Sequence, residues 1–149
     1  MTAISNAVLR LAVAFWLGGV ALFTFVLTPL IFRSESRDVA GRIVGYLFPG
    51  YFRWGLACGI VALLALPAVR NQLRHFAVVA ALLAIMTGAT AFQSFYIEPK
   101  AAALKREIPS FVTTPKDHPL RREFAKLHGI SAGCNLVVFA GGVILVVLL

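Results

Sequence analysis

Charge of one sign is scarce in this chain, and charge of any sign is low. Asp and Glu number 6 in 149 residues, and charged residues make up 13% against 60% hydrophobic, where soluble domains run at roughly 25% charged and 45–50% apolar. So few ionic groups exclude an ordinary soluble domain. Cysteine is also rare: Cys58 and Cys134 form no CxxC pair and no disulfide framework. A Walker loop, a GxGxxG, a serine-nucleophile motif and a paired-carboxylate arrangement are all missing. The chain is therefore not read as an enzyme, and no cofactor is expected.

Long apolar runs stand where those features do not. Four stretches, about 5–32, 51–69, 75–97 and 121–149, approach the roughly 20 apolar residues that a helix needs to cross a bilayer. The first is too long for a cleaved-signal h-region of about 7–15 residues and is read as a retained span. Residues 1–149 thus read as a single integral membrane domain of the all-α class, a four-transmembrane-helix bundle.

The connections refine this. Val39, Ala40, Ile43, Val44, Leu47 and Phe48 recur at helical spacing, which predicts a short amphipathic interfacial helix between spans 1 and 2. Ser34 or Ser36 can cap its start, and Pro49-Gly50 ends it. KAAALKRE predicts an extramembrane helical extension after span 3. IPSFVTTPKDHP then reads as irregular, and Pro119 suits the first turn of the last helix.

Arg10, Arg70 and Arg74 fall on one side of these spans and every other Lys and Arg on the opposite side. The positive-inside rule places the richer side in the cytoplasm and both termini outside, in a bacterial inner membrane. A net charge of +8 then speaks for anionic lipid headgroups as partners rather than nucleic acid.

A few polar residues interrupt the apolar runs. His128, Ser131 and Asn135 fall within about 60° on a helix turning about 100° per residue. Gln93 and Thr90 in span 3, and Thr24 and Thr28 in span 1, lie at similar depth on the cytoplasmic side, with Glu98, Arg53 and Tyr51 at the border. These are the candidate ligand-binding residues: His128, Ser131, Asn135, Gln93, Thr28, Glu98 and Arg53 would line a cytoplasm-facing polar cavity for a small solute or metal species. The competing reading makes them contacts that hold helices together, in a non-transporting scaffold or assembly factor. A resident metal is not expected. His75 and His128 open different spans at opposite faces, about 30 Å apart, and Cys134 is turned roughly 120° from His128. Small residues at Gly18-Gly19, Gly55 and Gly59, Gly129 and Gly133, and Gly141-Gly142 favour close helix packing or a homo-oligomer, and Gly41 with Gly45 could serve the interfacial helix likewise.

WLGGVALFTFVLTPLIF, RDVAGRIVGYLFPGYF and FAKLHGISAGCNL, in this order, resemble the transmembrane-protein-205-like family, also described as domain of unknown function 4149. The resemblance covers essentially the whole length. It implies a four-span membrane protein linked to metal or drug tolerance, and singles out Trp16, Gly18, Gly19, Pro29, Ala40, Gly41, Gly45, Phe48, Pro49, His128, Gly129, Ser131 and Asn135. WLGG alone is similar to copper-resistance membrane proteins of the D type, but Leu9-Arg10 stands where those carry a histidine.

The charge asymmetry makes one expectation measurable. Alkaline phosphatase fused after Leu149 should be active and a fluorescent protein fused there dark; the reverse pattern would invert the orientation.

Overall fold

Four helices account for nearly all of the chain, because within hydrocarbon a span must pair its backbone N–H and C=O groups inside itself. The structure, a computed structural model, describes residues 2–149. The helices are α1 (Thr2–Ser34), α2 (Arg37–Gln72), α3 (Phe76–Glu107) and α4 (Pro119–Leu148), each long and apolar enough to cross a membrane. They alternate in direction, and each packs on two neighbours, so the order α1–α2–α3–α4 closes into a ring.

The sequence expectation of four spans is met, but the helices run beyond them. The 36 residues of α2 amount to about 54 Å, well over a hydrocarbon core of about 30 Å. The excess at the start of α2 and the end of α3 lies on one side, together with the 108–118 connection. The separate interfacial helix is corrected: the Arg37 helix does not stop at Pro49-Gly50 but continues through Pro49 into span 2. Proline removes one N–H, that which would bond the Gly45 carbonyl, and one missing bond does not end a helix with this much packing around it. Ser36 caps the start, its Oγ accepting from the Val39 N–H at 3.5 Å. Ala40 and Val44 face inward, while Ile43 and Leu47 are exposed.

Two other prolines leave a visible trace. Residues Leu22–Leu27 in α1 and Gln93–Ile97 in α3 are wound as π-helix, with Thr28 N–H bonded to Phe23 O and Glu98 N–H to Gln93 O. Pro29 and Pro99 stand two residues after these stretches. A proline ring collides with the carbonyl four residues back, here Phe25 and Phe95; a wider turn relieves that crowding. The same device thus sits at the same end of two parallel spans, although no sequence repeat announces it.

The core is built around Trp16, which is 1% exposed. It fits because α2 offers glycine there: a Cβ on Gly55 would lie 2.9 Å from Trp16 Nε1, and one on Gly59 2.8 Å from the indole and 2.6 Å from Thr87 Oγ1. Gly141 receives Met86 and Gly142 receives Leu17 in the same manner. Gly18, Gly129 and Gly133 meet nothing. Of the small-residue positions, only those turned toward a neighbouring helix carry the packing.

An added methyl therefore separates the two groups. Gly59→Ala should lower stability in detergent by about 1–3 kcal/mol through overpacking against a rigid indole, whereas Gly129→Ala, with open space around it, should hold or raise stability by up to about 1 kcal/mol. Thermal or SDS-titration midpoints measure both, and equal shifts would contradict the packing described.

Candidate functional site

Polar side chains in the bundle interior meet in two places. The Gln93 side chain, 1% exposed, leaves α3 from the π-turn, and Ser131 Oγ on α4 donates to its Oε1 at 2.8 Å. Its Nε2 is buried without a hydrogen-bond partner. The second place joins helices that are not neighbours in the ring: Tyr51 OH on α2 donates to Asn135 Oδ1 on α4 at 3.1 Å. Phe23 stacks on the Tyr51 ring, with centroids 4.4 Å apart at 20°, and the Thr24 Oγ1 is buried without a partner. The Tyr51 side chain thus crosses the middle of the bundle.

The threonines behave differently. Thr90 Oγ1 donates to Met86 O at 2.9 Å and Thr87 Oγ1 to Leu83 O at 2.7 Å, each satisfied by its own helix one turn back. Between Trp16, Tyr51, Thr90 and Asn135 there is a gap of about 10 Å³, about the room of a single water.

Of the candidate residues, Gln93 and Ser131 bond to each other, while Asn135, one turn further along α4, bonds to Tyr51 instead. Thr28 is half-buried in α1, its N–H held by Phe23 O. His128 is corrected: it is exposed on the flank of α4, where its ring stacks on Phe124 at 6.3 Å and 7°. The buried seam of α4 runs through Leu127, Val138 and Leu145, and His128 is turned about 100° from Leu127. Arg53 is exposed, and Glu98 is half-buried at the start of the α3 extension, outside both pairs. Cys58 is buried and Cys134 half-buried, both free thiols, and among the described residues no three His, Cys, Asp or Glu side chains converge.

A second polar cluster lies outside the membrane core. The Asp38 carboxylate accepts from Ser110 Oγ at 2.5 Å and from the Phe111 N–H at 2.6 Å, and Lys105 Nζ donates to Gly41 O. A Cβ on Gly41 or Gly45 would come within 3.4 Å or 3.0 Å of that ammonium. Gly41 and Gly45 therefore form a seat for a lysine rather than for another backbone. Asp38, Lys105 and Ser110 were not singled out in the sequence. The only local clue was a pair of glycines facing a basic helix end, which does not say what fills the gap.

Residues 11–110 match the family described as Domain of unknown function (DUF4149). That range takes in Trp16, Gly41, Gly45 and Pro49 but ends before the HGISAGCN stretch, so the expected whole-length coverage is not what is found. A protein of Aquifex aeolicus (strain VF5), described as uncharacterized, is 29% identical over 125 residues, which cover 84% of this chain and 81% of that protein. No solved structure matches.

The Gln93–Ser131 pair has an asymmetry that mutation reads. Ser131→Ala leaves both ends of a buried amide unpaired and should cost about 1–3 kcal/mol, whereas Gln93→Leu removes the amide at similar volume and leaves only a half-buried hydroxyl that can turn back to its own helix, so it should be nearly neutral. The double variant should then resemble Gln93→Leu in denaturation midpoint. Simple addition of the two single effects would argue against the pairing.

Proposed function

The chain belongs to the DUF4149 family, whose description carries no activity, and we propose that it is a non-transporting membrane scaffold whose interior polar residues clamp its helices together. One observation carries this reading: Tyr51 and Asn135 bond across the centre of the bundle at 3.1 Å, with space beside them for about one water. A pathway for a solute would need those groups apart and hydrated, with a wider opening between them.

On this reading the side that carries the 108–118 connection is the working face, and it lies in the cytoplasm of a bacterial inner membrane. Asp38 holds that connection, and Lys105 the end of α3, against the start of α2, giving a firm basic surface to anionic lipid or a partner. Such a chain performs no catalysis of its own. A part in metal or drug tolerance, which the resemblance to the transmembrane-protein-205-like family implies, would come through organisation of neighbours in the membrane rather than passage through this bundle.

Thiol labelling tests the reading. With Cys58→Ala and Cys134→Ala as background, Ser131→Cys and Asn135→Cys should resist a water-soluble maleimide applied from the cytoplasmic side, while Lys116→Cys reacts. Rapid labelling at 131 or 135 would restore a solvated cavity and a transport role.

A further inference from the structure

Between α3 and α4, on the side of the basic connection, the surface holds a groove of about 600 Å³. Its walls repeat every four residues: Phe92, Tyr96 and Lys100 on α3, and Ile130, Lys126 and Arg122 on α4. Because the two helices are antiparallel, this spacing sets the apolar pair Phe92 and Ile130 at one end and the basic pair Lys100 and Arg122 at the other. The two ends are about 12 Å apart along the helix axis. Ile97 and Leu127, buried at 2% and 7% exposure, form an apolar floor.

One wall is ordered by its own contacts. Phe92 stacks on Tyr96 with centroids 5.3 Å apart at 16°, and Lys100 Nζ lies 5.2 Å over the Tyr96 ring and 3.4 Å from its hydroxyl. Lys100, Arg122 and Lys126 are exposed, while Glu123 also lines the rim. The rim is thus net basic and includes one acceptor, which suits a phosphate carrying a hydroxylated headgroup. The gradient from cationic to apolar along the membrane normal is the complement of a phospholipid rather than of a free anion or an apolar helix.

We propose that this groove binds one anionic phospholipid, with its phosphate on Lys100, Arg122 and Lys126 and an acyl chain over Phe92 and Ile130. The site is separate from the interior pairs, so it goes beyond the scaffold reading and fails or stands independently of the labelling at 131 and 135.

Native mass spectrometry of the full chain in detergent, with phosphatidylglycerol or phosphatidylcholine added, tests it. One phosphatidylglycerol should be retained in preference to phosphatidylcholine. Lys100→Ala, Arg122→Ala and Lys126→Ala combined should weaken retention, by about fivefold for each basic residue removed. The exposed control set Arg33→Ala, Arg37→Ala and Arg106→Ala should change it less than about twofold. Equal loss in both sets, unchanged retention in the groove set, or displacement of the lipid by equimolar glycerol phosphate would overturn the proposal. A second variant keeps the test open if the triple substitution fails to fold. Ile130→Trp in a Trp54→Phe background should be quenched more by phosphatidylglycerol with brominated acyl chains than by the matching phosphatidylcholine. Equal quenching would overturn it, as would lipid-excluding cross-links between two copies through position 130.

Discussion

Hydrocarbon offers a polar group no hydrogen bond, and this bundle is organised around that refusal. Each helix first pairs its own backbone, and Thr87 and Thr90 turn their hydroxyls back onto the same helix. Gln93, Ser131, Tyr51 and Asn135 instead bond in pairs across helices. Interhelical bonds of this kind contribute only about 0.6–2 kcal/mol each. Their larger effect is on specificity, because a slide of α4 by one turn would leave buried amides and hydroxyls without partners.

Packing around Trp16 complements these bonds. In lipid no hydrophobic drive pushes helices together, so association relies on close contact over small residues. Gly55 and Gly59 admit the indole edge-on, and Gly141 admits Met86. The polar pairs lie in the half nearer the 108–118 connection, whereas Leu9, Val13, Val69, Val79 and Leu145 fill the opposite half without polar help. One half is thus held mainly by shape and the other also by bonds.

Much of this was legible in the sequence, and the misses have physical causes. The four spans, the Ser36 cap, the break over 108–118 and the start at Pro119 all follow from local chemistry: apolar length, capping hydroxyls and proline geometry. That Gln93 and Ser131 lie within reach of each other follows from depth counted along ideal helices. His128 escaped because angular proximity to a polar stripe does not say where the neighbouring helices stand. At the level of Asn135 the Tyr51 side chain reaches that flank of α4, and at His128 the flank is open. Pro49 misled for a related reason, since a proline weakens a helix locally while the decision to continue is made by tertiary packing. The seat formed by Gly41 and Gly45 was visible as a gap, but its occupant, Lys105, arrives from 64 residues away, beyond the reach of any local pattern.

The wide turns ahead of Pro29 and Pro99 carry an implication for how the outer part of the molecule is aimed. A π-turn takes in an extra residue without lengthening the helix by a full step, which advances the angular phase of everything beyond it. The extension from Glu98 to Glu107 therefore leaves the bilayer in a direction decided at Gln93–Ile97, inside the apolar layer. Losing a single residue there would swing Lys105 away from Gly41 by roughly a quarter of a revolution, so that a steering element hidden in the membrane governs whether the exposed platform assembles at all.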